Sequence, residues 1–186
     1  MVIETTSDAL SDGDLLRRML SGDEEAFTSL YRRRQGAVYR FALQMTGNVV
    51  VAEDVTQEVF LVLIESGKRF DSAKGTLASF LYGIARNRVF RRLEKDRGTE
   101  QVVEDFATDE DVLADLTRRE TIDQVRRAVL SLPPTYREVV VLCDLQDVSY
   151  QDAADALDRP VGTVRSRLNR GRAMLAQKLR GKAAAV

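Results

Sequence analysis

Two features of the sequence predict an all-α fold. Apolar residues recur at three- and four-residue intervals through most of the chain, and no two-residue alternation of the kind a half-buried strand needs competes with them. A third feature divides the chain, because its charges are sorted rather than mixed. Residues 100–116, "EQVVEDFATDEDVLADL", carry seven acidic residues and no basic one, whereas residues 159–186 carry eight Lys or Arg and no acid. Residues 86–97, "RNRVFRRLEKDR", form a second basic block. The acidic stretch lacks sustained helical period and follows Gly98, so it reads as a linker. Two small helical domains are expected, at 1–97 and 117–186, with an acidic linker at 98–116.

The helices follow in order. Phe27, Leu30, Tyr31, Val38, Phe41, Ala42 and Met45 make one apolar stripe, which Gly47 ends. A second helix, at about 50–66, turns Ala52, Val55, Val59, Val62 and Leu63 inward, and a third starts after Gly75 with Leu81, Ile84, Ala85, Val89 and Leu93 inward. Beyond the linker, helices are expected at 117–131, at 134–145 after Pro133 and Pro134, at 150–157 and at 160–180.

Composition excludes several classes of protein. Cys143 is the one cysteine, so no intramolecular disulfide forms, and its place in the apolar run "VVVLCDL" reads as a buried thiol in a reducing, cytoplasmic setting. The chain has no histidine, which removes the commonest general base and the commonest zinc ligand, and it has no glycine loop to cradle phosphate. An enzyme, a metal site and a cofactor are therefore not expected. The opening "MVIETTSDALSDGD" is polar and acidic, unlike a signal peptide, and nowhere do eighteen apolar residues run together, so no membrane insertion is expected.

The stretch from Ser149 to Arg172, "SYQDAADALDRPVGTVRSRLNRGR", has the punctuation of a helix–turn–helix. Ser149 can cap the first helix with Asp152 answering three residues on, and Pro160 suits the first turn of the second, where a missing N–H is harmless. In the second helix Val161, Val164, Leu168, Leu175 and Leu179 must face inward. That leaves Arg165, Ser166, Asn169, Arg170 and Arg172 outward. Such a face suits the major groove: Arg can reach guanine O6 and N7, Asn can pair with adenine, and further cations can hold phosphates. A solvated basic surface is the competing reading, against which the helix–turn–helix punctuation weighs.

Two further constellations lie in the first domain. Asp54, Gln57, Glu58, Leu61 and Glu65 form a stripe opposite the buried one, a mixture that suits either a protein partner or plain solvent. On the next helix Phe80, Gly83, Asn87 and Arg91 share one face, and Arg88, Arg91, Arg92 and Lys95 form an overlapping basic row. Rings stack on bases, amides read base edges and cations follow the backbone, so the mixture suits unpaired nucleic acid. Phe80 taken alone reads as core.

The segments "AEDVTQEVFLVL", "LASFLYGIARNRV" and "LPPTYREVVVLCDLQDVSYQDAADALDRPVGTVRSRLNRGRAML" resemble, in order and spacing, the extracytoplasmic-function (ECF) sigma factors of bacterial RNA polymerase. The resemblance covers nearly all of residues 20–180. It implies a region 2 domain and a region 4 domain without the intermediate domain of larger sigma factors, in a protein that binds core RNA polymerase and assists promoter opening. Position by position, it assigns Asp54, Gln57 and Glu58 to the coiled coil of the polymerase β′ subunit, and Leu61 of the same stripe is expected beside them. It assigns Phe70 and Asn87 to holding a base flipped from the −10 element, and Lys74, Phe80, Arg88, Arg91 and Arg92 are expected at the same element. Arg165, Ser166, Asn169 and Arg170 fall to the −35 element, where Arg172, nearer the edge of the face, is expected to join them. The β subunit and an anti-sigma factor are further implied partners, and the acidic linker corresponds to the segment that runs toward the RNA exit channel.

The chain departs from the family pattern in having Phe80 where Trp is usual, Asp158 at the usual turn glycine and Gly171 where Ala is common. Asp tolerates left-handed backbone, whereas glycine inside a helix costs about 1 kcal/mol and has no rationale in the sequence. Two readings from other classes stay open: a duplex-DNA-binding helix–turn–helix regulator with an N-terminal sensory domain, and an adaptor that binds no DNA.

Overall fold

A computed structural model describes residues 10–95 and 115–183 as eight α-helices and two short irregular turns, with no strand among the described residues. The linker expected at 98–116 lies outside the described residues up to position 114, and helix begins at Asp115, just inside its expected end.

The first helix, α1 (Asp12–Leu20), is one the apolar stripes did not predict. Its signal is the cap: Ser11 Oγ accepts from the Asp14 N–H at 3.1 Å, and Leu15 and Leu16 follow as buried residues. Asp23 caps α2 (Glu24–Thr46) through the Ala26 N–H, and Gly47 ends it in the left-handed region at φ 69°, donating its N–H to the Leu43 carbonyl. Asn48 caps α3 (Val49–Ser66), and a 3₁₀ turn (Gly67–Arg69) leads into a loop. Thr76 Oγ1 accepts from the Ser79 N–H at 3.2 Å and so starts α4 (Leu77–Lys95). These four helices pack around Leu30, Phe41, Met45, Val55, Leu63 and Leu81.

In the second half, α5 (Asp115–Leu130) precedes α6 (Pro134–Val140). The helix expected over 134–145 is not uniform: its last five residues, Val141–Leu145, widen into a π turn, after which the Val148 N–H donates back to the Leu142 carbonyl. Ser149 Oγ caps α7 (Tyr150–Leu157) by accepting from the Asp152 N–H at 3.0 Å. Asp158 takes the left-handed turn at φ 50°, and α8 (Val161–Ala183) follows with Pro160 at its cap rather than inside its first turn. Val164 and Leu168 are buried as the spacing requires, while Val161 and Leu175 are half-buried.

Packing explains Gly171. It is buried against α6, and a Cβ there would stand 2.7 Å from Val140 Cγ2, so close helix packing offsets its poor helix propensity. The two halves also pack on each other, α4 against α7 and α2 against α5, and their buried residues form one continuous cluster.

Candidate polymerase and nucleic-acid surfaces

On α3 the outward stripe is real: Asp54 and Gln57 are exposed, Glu58 is half-buried, and Leu61 is 57% exposed. Val50 and Ile64, exposed at 57% and 50%, extend it. Sequence reasoning missed both, although their helical spacing from Asp54 and Leu61 carries the signal. Large apolar side chains left in water beside carboxylates and an amide are what a protein partner would bury.

Two acids of that stripe, Asp54 and Glu58, are ion-paired. Arg92 on α4 reaches Asp54 at 3.2 Å and also pairs with Glu58, and Arg88 Nε lies 3.3 Å from Glu58. The structure thus joins two sets that the sequence kept apart, the acids expected at polymerase and two of the cations expected at the −10 element. Arg91 is exposed at the edge of the same cluster.

Phe70 and Phe80 come together, their ring centroids 5.6 Å apart and tilted by 59°. Both are half-buried and pack against the core, so the aromatic pair is partly structural, as Phe80 alone suggested. Asn87 is exposed about two turns further along α4 than Phe80. Lys74 is exposed in the loop, 3.9 Å from Asp71, a separation at which an exposed pair contributes little.

Arg165, Ser166, Asn169, Arg170 and Arg172 are all exposed on α8. Two arginines are held from outside the helix. The Arg165 guanidinium lies 5.6 Å from the Tyr150 ring centroid, and Arg172 makes two bonds to Asp144, at 3.0 and 2.6 Å. The Asp144 hydrogen bonds and charge raise the Arg172 pKa further above its ordinary value, so it is a permanent cation. Ser166 Oγ donates back to the Thr163 carbonyl. Nothing local in the sequence marks Tyr150 and Asp144 as partners of these arginines.

A third group was also missed. Adjacent residues Arg137 and Glu138 of α6 are buried. Glu138 accepts from Arg86 Nε on α4 at 2.6 Å and from Arg167 on α8 at 3.2 Å. Burial raises its pKa, and the two guanidiniums oppose that rise. Arg137 donates to the carbonyls of Met45, Leu130 and Leu132, and burial lowers its pKa to about 10. Cys143 is half-buried with its thiol pushed up to about 11, by burial first and by Asp144 second, in keeping with an unreactive thiol.

Four helices with a partner-seeking face, joined to a helix–turn–helix whose second helix shows cations and amides to solvent, define a DNA-binding factor that works with another protein. The match to family descriptions is specific: residues 30–99 match Sigma-70 region 2 and residues 122–175 match Sigma-70, region 4. The chain is 32% identical over 181 residues to the ECF RNA polymerase sigma factor SigW of Bacillus subtilis, covering 89% of this chain and 95% of that one. It is 35% identical over 168 residues to the ECF RNA polymerase sigma factor SigE of Mycolicibacterium smegmatis, covering 83% of this chain but 63% of that longer protein. Among solved structures, CnrH in complex with the cytosolic domain of CnrY superposes with a TM-score of 0.72 at 25% identity, covering 91% of this chain and 97% of CnrH. The chain belongs to the ECF RNA polymerase sigma factors, transcription initiation factors that direct RNA polymerase to promoters. Its N-terminal half is a region 2 and not a sensory domain, so neither the duplex-only regulator nor the adaptor is supported.

Proposed function

We propose that this chain acts as a dissociable, non-enzymatic initiation subunit in the cytoplasm, with its contacts divided among three surfaces. Asp54, Gln57, Glu58 and Leu61 meet the β′ coiled coil. Phe70, Lys74, Phe80, Asn87, Arg88, Arg91 and Arg92 meet the −10 element, and Arg165, Ser166, Asn169, Arg170 and Arg172 meet the −35 element. The domains run over 1–97 and 117–186, with the acidic segment 98–116 as the connection that runs through polymerase toward the RNA exit channel. No helix among the described residues is long and apolar enough to cross a membrane.

The observation that best supports this reading is the division of α8, with Val164 and Leu168 buried on one face, Arg165, Ser166, Asn169 and Arg170 exposed away from it, and Arg172 exposed at its edge. A major-groove helix needs that division. The solved structure holding CnrH with a cytosolic partner domain supports a comparable restraining partner, an anti-sigma factor, for this chain.

The test is reconstitution. The full chain mixed with core polymerase should co-elute with it and yield specific run-off transcripts from promoters carrying both elements. A photo-crosslinker at Asn169 should label −35 DNA only when polymerase is present. Labelling confined to vector DNA away from the start sites would overturn the assignment of α8.

A further inference from the structure

A cavity of about 430 Å³ opens between α2, α5 and the π turn, within the ordinary size range of small-molecule sites. Its inner wall is apolar. Leu43 comes from α2, and Val125, Val129 and Leu130 come from α5. A Cβ at Gly47 would stand 2.8 Å from Leu130 Cδ1, so the glycine that ends α2 also lets Leu130 seat against it. Ile122 and Leu145, 42% and 39% exposed, stand at the mouth. None of the residues lining the cavity belongs to the three proposed contact surfaces.

The charges at the mouth are of one sign. Arg40 and Arg126 both line it, and no carboxylate does. Arg40 has no ion pair among the described residues, and Arg126 has a partner in half-exposed Asp123 at 3.3 Å, a pair that contributes little. Gln44 asks nothing of a guest, because its Oε1 already accepts from Gln146 Nε2 at 3.0 Å. An apolar wall beneath two available guanidiniums fits a guest that is apolar along its body and anionic at one end. A peptide fits less well. One turn of helix, about 10 Å across and 5.4 Å long, already fills a volume of this size, too little to seat a helix.

We propose that this cavity is a binding site for a small organic anion, an apolar chain or ring that bears one carboxylate. Its body lies against Leu43, Val129 and Leu130, and its carboxylate is held at the mouth by Arg40 and Arg126. Burial of the body removes apolar surface from water, and the guanidiniums give charge-assisted hydrogen bonds to the head. The head is met from both matched regions, by Arg40 within region 2 and by Arg126 within region 4.

The chain has no tryptophan, so Leu145→Trp in the full-length protein places a single fluorophore at the mouth. Octanoate is the probe. Its titration should shift the emission with one-site saturation, and octanol, the same chain without the charge, should bind about tenfold more weakly, the scale of a lost hydrogen bond to a charged group. Arg40→Gln in the same background should weaken octanoate by about the same factor and leave octanol unchanged. In the unsubstituted chain, the methyl NMR signals of Leu43 and Val129 should move with the same midpoint, while those of Val50 and Ile64 on α3 stay fixed. A response that does not saturate, equal affinity for octanoate and octanol, or unchanged octanoate binding by Arg40→Gln overturns the anion site. Shifts confined to α3 would put the probe on the polymerase-facing stripe and overturn the cavity as its site.

Discussion

Arg92 of α4 is ion-paired with Glu58 of α3, so a cation proposed for promoter DNA neutralises an acid proposed for polymerase. Asp54 shares the same guanidinium at 3.2 Å. The two surfaces meet at one exposed cluster, and a change on either side reaches the other.

Charge reversal at Asp54 and Glu58 is therefore expected to weaken assembly with core polymerase at least tenfold while leaving the fold intact. Both lie outside the apolar core, and exposed ion pairs are each worth only about 0–1 kcal/mol. Competitive binding to core polymerase, read beside a thermal melt, separates the two effects. Wild-type binding by the double variant would remove α3 from the polymerase interface.

Asn87 is the cleaner probe of the base pocket, because Phe70 also packs on Phe80. Asn87→Ala should lower promoter opening on a fully paired template more than it lowers engagement of the closed duplex, since a flipped base becomes accessible only on melting. The check compares permanganate reactivity of the −10 bases with footprinting of the duplex. An unchanged opening rate would empty the pocket of Asn87.

Gly171→Ala should destabilise the protein although Ala is the better helix former. Propensity favours Ala by about 1 kcal/mol, but a methyl group 2.7 Å from Val140 Cγ2 overpacks the α6–α8 contact, which typically costs about 1–3 kcal/mol. Denaturant melts should show a net loss of up to about 2 kcal/mol, recovered in part by adding Val140→Ala. A stabilised single variant would contradict the packing explanation.

Cys143 should react slowly. A thiol pKa raised to about 11 leaves little thiolate at pH 8, so alkylation by iodoacetamide should run roughly a hundredfold slower than for an exposed thiol of pKa near 9. Because the pKa is raised, the rate should keep climbing with pH until about 11 rather than levelling near 9. A plateau near 9 would show an open thiol.

The helices were legible in sequence wherever an apolar stripe ran long, as from Phe27 to Met45, and the turn at Asp158 was legible from its helix caps. Helix α1 was not, because its nine residues carry too short a stripe and its signal is the Ser11 cap. What escaped reading at the sites shares one cause. Arg92 and Asp54 lie 38 residues apart, Arg86 and Glu138 lie 52 apart, and Gly171 answers to Val140 on another helix. Spacing along one helix tells which residues share a face, but not which other face it meets. The close approach of α7 to α4 at Gly83 belongs to the same class of fact.

The most direct test of the central claim, that α8 reads the −35 element, is transcription by reconstituted holoenzyme from a promoter library varied at each −35 position. Arg170→Ala should cost about 1–3 kcal/mol against the preferred sequence and relax discrimination at one or two positions. Arg172→Ala removes a cation fixed by Asp144, so it should weaken all sequences about equally and lower the salt slope by roughly one unit. An Arg170→Ala profile with unchanged base preferences would contradict the account and leave α8 a phosphate-binding or solvated surface.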